Sequence, residues 1–327
     1  MTWGPMKERD LWRGLVAVAC VGVLAAACGG ARTIPASVVR FGEADETFVV
    51  PGLDECDLEE TAELRVHPER PLVVIVHGCN ASGGRFRALA QVFEAHGQQT
   101  VCFNYDDRES MLETSANLRR ALVAMEDHLH HQPITVLGHS QGGLVSRRAL
   151  ARGAAANDEP GPGASYRLIT VSSPFNGIAA SAHCASVGLH VATLGITALV
   201  CHAIAGDKWD EIHPDAEFMR APGELLPGVE EHLVVVTDER GSCRRFDDAG
   251  TCVEDDFVFS VEEQWNGLFD GDERVGNVEV KAGHAAIVGG EDRPPIVLID
   301  LLRGAGVLAR APATRREEIA ALLGALY

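Results

Sequence analysis

The sequence predicts an α/β fold with a mainly parallel central sheet, and three observations carry that prediction. From residue 71 onward, short apolar runs alternate with segments of helical spacing, the rhythm of strands joined by crossover helices. The run Pro71-Leu72-Val73-Val74-Ile75-Val76 is apolar without alternation, as a strand buried on both faces requires. Gly138-His139-Ser140-Gln141-Gly142 then stands between an apolar run and a helical pattern, a tight strand-to-helix turn.

The elements follow in order. Residues 84–96 repeat Phe86, Leu89, Ala90 and Phe93 at helical spacing, and Thr100–Tyr105 reads as the next strand. Residues 110–130 carry Leu112, Leu118, Leu122, Met125 and Leu129 on one helical face. Ile134–Leu137 is a third strand, Leu144–Ala151 a helix and Arg167–Val171 a fourth strand. Residues 177–225, rich in Ala, His and Gly, break the rhythm and predict helices inserted as a cap. Leu233–Val236 and Asn277–Val280 are two further strands, and Ile296–Tyr327 has a helical pattern.

Composition narrows the function. Of 327 residues, 46% are apolar and 23% charged, a balance that excludes a disordered chain and provides a sizeable core. The formal charge of −19 offers a phosphate backbone nothing to bind, so nucleic acid is not an expected partner. Only Lys7, Lys208 and Lys281 are lysines, which leaves little for Schiff-base chemistry.

The N-terminus reads as an export signal. A charged stretch over 6–14 precedes 15–28, which holds no charge and falls short of the about 20 residues a membrane span needs. Leu24-Ala25-Ala26-Ala27-Cys28-Gly29 resembles a bacterial lipoprotein signal, with Cys28 as the lipidated first residue of the mature chain. Ala25 stands where a larger aliphatic residue is usual, and Ala25-Ala26-Ala27 also suits ordinary cleavage at the same bond. Plain secretion and an uncleaved anchor therefore stay open beside lipidation. The expected organisation is a signal peptide over 1–27, an N-terminal leader with an early hairpin over 28–70, and the main domain over 71–327.

Seven cysteines remain after Cys28, and an exported chain can pair them. Cys243 with Cys252, and Cys184 with Cys201, read as local staples. The odd count leaves at least one thiol among Cys56, Cys79 and Cys102. No CxxC pair suggests zinc. His128, His130 and His131 close an amphipathic helix, where cations suit the C-terminus better than they make a metal site. No metal and no cofactor is expected.

The Gly-x-Ser-x-Gly turn carries the chemistry. A turn this tight admits no side chains beside the serine and holds the Ser140 hydroxyl at the positive end of the following helix. Together with His77-Gly78-Cys79-Asn80 after the first strand of the regular region, this turn resembles the bacterial lipase branch of the α/β-hydrolase family over residues 70–290. The resemblance implies an oxyanion hole from the backbone N–H groups of Cys79 and Gln141. It also implies the chain order serine, acid, histidine. His284, just past the last strand, is the expected base. Asp256, in Asp256-Phe257-Val258-Phe259, resembles the acid-bearing segment of the lipases, with Asp238 and Asp255 as the alternative acids. Ser172-Ser173-Pro174-Phe175-Asn176-Gly177 and residues 213–220 resemble two further lipase segments more loosely.

The expectation is an exported serine hydrolase that cleaves carboxylic esters through Ser140, His284 and Asp256. Its partners would be an ester or lipid substrate and a membrane reached through the N-terminal anchor. An acyltransferase or amidase using the same triad is an alternative, as is a non-catalytic surface lipoprotein that uses the fold as a binding scaffold. The apolar 187–200 segment would serve as an acyl groove, a lid or a buried cap helix.

Overall fold

The computed structural model describes residues 46–327 apart from 57–62, 80, 131, 155–159, 162, 180, 182–207, 270, 290–292 and 309–314. The signal segment with Cys28, the Cys184–Cys201 pair and the 187–200 segment lie outside the described residues.

Eleven strands occur among the described residues: β1 (Glu46–Phe48), β2 (Leu53–Asp54), β3 (Leu64–Val66), β4 (Leu72–Val76), β5 (Gln99–Phe103), β6 (Ile134–His139), β7 (Tyr166–Val171), β8 (Val229–Asp238), β9 (Cys243–Phe246), β10 (Cys252–Asp255) and β11 (Val275–Lys281). Seven form one sheet in the order β11-β8-β7-β6-β4-β5-β2. All its pairings are parallel except β2 with β5. All five residues of β4 are buried, which explains the uninterrupted apolar run. Helices packed on both faces of the sheet leave β4 no solvated side to alternate toward.

Helices cover both faces. On one side, α2 (Met111–Glu126) and α3 (Gln141–Ala149) place Leu118, Leu122, Leu144 and Val145 against Leu72, Val74 and Val76. On the other, α1 (Arg87–Ala95), α7 (Ile296–Gly304) and α8 (Arg316–Leu326) pack Leu89, Phe93, Leu298, Leu302 and Leu326 with Val73 and Ile75. Burying each such side chain contributes about 1.5–3 kcal/mol relative to exposure. Three short helices complete the described α-helices, α4 (Trp209–Ile212), α5 (Glu217–Arg220) and α6 (Val261–Gln264). Arg119 is fully buried and donates to the carbonyls of Ala149 and, at 2.7 Å, Ala151. It thereby satisfies acceptors that the end of α3 leaves open.

The N-terminal leader is more than a leader. Leu53, Leu64 and Val66 belong to the core, β2 extends the main sheet, and β1 pairs β3 antiparallel. A disulfide from Cys56 to Cys102 ties this segment to β5, while Cys243 and Cys252 pair across the β9–β10 ribbon as expected. The domain therefore takes in described residues ahead of position 71. No helix among the described residues is long and apolar enough to cross a membrane.

Candidate active site

The site lies at the C-terminal ends of β4, β6, β7, β8 and β11, where an open parallel sheet leaves its loops free to carry chemistry. At the end of β6 the backbone of Ser140 takes φ 56° and ψ −126° before entering α3. Such a residue outside the common backbone regions costs about 1–3 kcal/mol and persists only when its surroundings enforce it. Here the ladder continues into the turn through Ser140 N–H to Val171 O at 2.9 Å. Glycine is required beside it, since a Cβ on Gly142 would stand 2.3 Å from the Val76 carbonyl oxygen. The Ser140 side chain does not cap α3.

The loop after β4 passes directly against this turn: a Cβ on Gly78 would come within 2.8 Å of Ser140 Cβ. His77 fixes the loop from inside. Its Nδ1–H donates to Gly78 O at 2.8 Å, its ring stacks on Tyr105 at 4.3 Å, and Tyr105 donates its hydroxyl to His77 O at 2.7 Å. Burial holds the His77 pKa below its ordinary value. Cys79 follows on this loop and carries a thiol rather than a disulfide. Gln141 opens α3, where the first-turn N–H groups have no partner within the helix.

His284 is delivered by the loop after β11. Its Nδ1 lies 3.0 Å from Glu239 Oε1 and 2.8 Å from Ser172 Oγ. With Nδ1 as the donor to both, the Nε2 lone pair is left available. The ring meets Phe259 edge-on at 4.9 Å and His139 at 4.8 Å. His139, next to Ser140, donates Nε2–H to His284 O at 2.9 Å. Burial first, and then the charge of His284, push the His139 pKa well down, so a neutral ring stands beside the histidine.

The carboxylate on His284 is Glu239, one residue beyond β8, and not Asp256. Glu239 Oε1 also accepts from Ser172 Oγ at 2.6 Å and Thr237 Oγ1 at 3.0 Å, and Oε2 from the amides of Val258 and Phe259 at 2.5 and 2.8 Å. Burial alone would raise its pKa, but the bonds from His284, Ser172 and Phe259 outweigh it and the net shift is downward. The group is an ionised acceptor, as its donors require.

Asp256 is fully buried but serves the backbone of the histidine loop. Its Oδ1 and Oδ2 accept from the amides of Ala285 and Ala286, each at 3.0 Å, and Arg244 pairs with Oδ1 at 3.0 Å. Its own carbonyl accepts the His284 N–H at 3.0 Å. A Cβ on Gly283 would fall 2.1 Å from Asp256 Oδ2, so the close approach admits only glycine. The alternative acids also point elsewhere. Asp238 pairs with Arg240 at 2.7 Å and Lys281 at 3.1 Å, and the Arg240 bond above all holds its carboxyl low. Asp255 accepts from Phe257 N–H at 3.1 Å.

Strand alternation explains the difference. Side chains two apart share a face, so Thr237 and Glu239 turn toward Ser172 and His284 while Asp238 turns away. The signal was present in Thr237-Asp238-Glu239, but it required β8 to run to Asp238 rather than stop at Val236.

Two of the histidines following α2 lie among the described residues. His128 stacks on Phe48 at 3.6 Å and His130 pairs with Glu69 at 2.7 Å. Among the described residues no His, Cys, Asp and Glu group could hold a metal.

Comparison with known proteins agrees with this architecture. The family model for the alpha/beta hydrolase fold matches residues 71–160. No curated protein matches the sequence. A lipase of Bacillus licheniformis in its propeptide form superposes with a TM-score of 0.52 at 15% identity, over 83% of this chain and 55% of that one. Its mature form gives 0.47 at 14% identity, over 81% and 99%. Esterase B of Lactobacillus rhamnosis gives 0.48 at 11% identity, over 96% and 99%. With the family's model matched over 71–160, the strand order in place and Ser140 on its strained turn, the chain has the α/β-hydrolase fold.

Proposed function

We propose that this protein is a serine hydrolase acting on carboxylic esters, with Ser140 as nucleophile, His284 as base and Glu239 as the acid. The observation that carries the proposal is His284 Nδ1 on Glu239 Oε1 at 3.0 Å, at the sheet end that also bears the strained Ser140 turn. A buried carboxylate on Nδ1 fixes the tautomer with its basic nitrogen at Nε2 and stabilises the imidazolium formed during turnover. Ser140 Oγ attacks the ester carbonyl carbon, and its proton passes to His284 Nε2. The N–H groups of Cys79 and Gln141 receive the oxyanion, each such donor contributing about 3 kcal/mol at the transition state. His284 then protonates the departing alkoxide, and water, activated by the same histidine, releases the acid from Ser140.

The test is a fluorophosphonate probe followed by peptide mapping. Labelling on Ser140 that disappears in His284→Ala is the expected result. A folded protein that stays unlabelled, with or without detergent, would move the fold to the binding-scaffold alternative. A p-nitrophenyl ester series would separate short-chain esterase from lipase activity.

Export and lipidation at Cys28 belong to the same proposal. The disulfides Cys56–Cys102 and Cys243–Cys252 support an oxidising compartment. Incorporation of an alkynyl fatty acid that is lost in Cys28→Ser is the expected result in cells. A processed, unlabelled protein would favour plain secretion.

A further inference from the structure

One of only three lysines in the chain sits buried at this site and is not explained by the triad. Lys208, immediately ahead of α4, is 7% exposed. Its Nζ lies 2.9 Å from Asp107 Oδ2, 3.2 Å from Gln141 Oε1 and 3.3 Å from Cys79 Sγ. An ammonium has three N–H donors, and here each meets an acceptor. Gln141 is held from its other end as well, its Nε2 donating to Asp107 O at 3.2 Å. Burial would pull the Lys208 pKa down, but Cys79 and Asp107 outweigh it and leave the amine more firmly protonated than usual.

Two of these three partners are the residues whose amides would form the oxyanion hole. They come from separate turns, after β4 and after β6, and an oxyanion hole functions only if its two donors keep a fixed spacing through the reaction. We infer that Lys208 is a positioning residue that locks the Cys79 and Gln141 turns together through their side chains, using Asp107 as its counter-charge. The inference rests on the hydrolase reading above. It also joins oxyanion stabilisation to the 208–212 segment, so that displacement of this segment would loosen the hole without touching Ser140 or His284.

Lys208→Met keeps the length of the side chain and removes the charge and donors. Its kcat on a short p-nitrophenyl ester, expressed per serine labelled by the fluorophosphonate, should fall at least tenfold with KM within twofold, since a whole oxyanion donor is worth about 10²–10³ in kcat. Lys208→Arg, which keeps the charge, should recover part of that loss. Normalising to labelled serine separates this role from a merely structural one, in which fewer molecules fold but each turns over normally. Wild-type turnover per labelled serine in Lys208→Met, or a change confined to KM, would overturn the inference alone. Absence of Ser140 labelling in the wild-type protein would overturn the hydrolase reading and this role with it. Iodoacetamide alkylation of Cys79 supplies a readout independent of turnover. A nearby ammonium favours the thiolate, so the midpoint of the alkylation-pH profile should move upward in Lys208→Met, and an unmoved midpoint would overturn the contact.

Discussion

The turns after β6 and β7 are built alike and used differently. His139 and Val171 are the last paired residues of the two strands, and each is followed by a serine in the left-handed half of backbone space, Ser140 at φ 56° and Ser172 at φ 50°. Each serine also extends its ladder, Ser140 N–H to Val171 O and Ser172 N–H to Val235 O, both at 2.9 Å. The hydroxyls then diverge. Ser172 is bound among Glu239, Thr237 and His284, whereas Ser140 faces the Gly78 loop and the N-terminus of α3. Such a turn fixes one hydroxyl as a brace and, on the proposed function, offers the other for reaction, so backbone strain alone does not identify a nucleophile.

The comparison is most sharply tested by removing each hydroxyl. Ser140→Ala should lower kcat/KM by about 10⁴-fold or more with folding intact, measured on a p-nitrophenyl ester alongside circular dichroism. Glu239→Gln should cost about 10²–10⁴-fold in kcat, because it removes the charge opposite Nδ1 while preserving shape. Asp256→Asn should instead cost about 1–3 kcal/mol of stability, through a weakened Arg244 pair and the loss of one of the two acceptors that hold the Ala285 and Ala286 amides. Denaturant midpoints measured beside kcat separate the two. A kcat loss larger in Asp256→Asn than in Glu239→Gln would return the acid to Asp256. Ser172→Ala should have a smaller effect, about tenfold in kcat, through looser orientation of His284. A loss as large as that of Ser140→Ala would end the distinction between the two turns.

A further effect is on pH dependence. Burial keeps His139 and His232 well below their ordinary 6.5, while the unfolded chain takes up protons near that value. Stability should therefore fall as pH drops through about 6.5, by at most about 1.4 kcal/mol per pH unit for each such histidine. Glu239, shifted the other way from 4.5, contributes fully above that value and loses its contribution as pH falls through its lower folded value. Denaturant midpoints at pH 7.5, 6 and 5 should show the decline, and His232→Phe should flatten it. An equal slope in that variant would remove His232 from the account.

Much of the fold could be read in the sequence because burial is written in the central strands. Leu72–Val76 and Ile134–Leu137 lie under helices on both faces of the sheet, the first an unbroken apolar run and the second interrupted only by Thr135. The Ser140 turn was legible for a different reason, since Gly138 and Gly142 record close backbone approach. The carboxylate was harder. β8 begins with Val229-Glu230-Glu231-His232 and ends with Thr237-Asp238, polar residues that hide its full length, and a two-residue error at a strand end changes which side chain faces the site. Asp256 lies where the histidine loop is held, close to His284 in space but bonded to the backbone of that loop. The leader was underestimated because β2 has only two residues, too few to show a period.

The strand order also bears on how the protein comes into being. Ser140 leaves the middle of the sheet, but His284 arrives after β11, which among the described residues pairs only with β8, itself held by β7. Serine and histidine are thus separated by nearly half the chain, and contacts this distant in sequence form late and slowly because long loops must close first. Partly assembled forms lacking β11 would possess a packed core and the strained Ser140 turn while lacking His284, the proposed base. Ester turnover would then report completion of the last rung of the sheet, a property that far-ultraviolet spectra of the same sample would register only faintly.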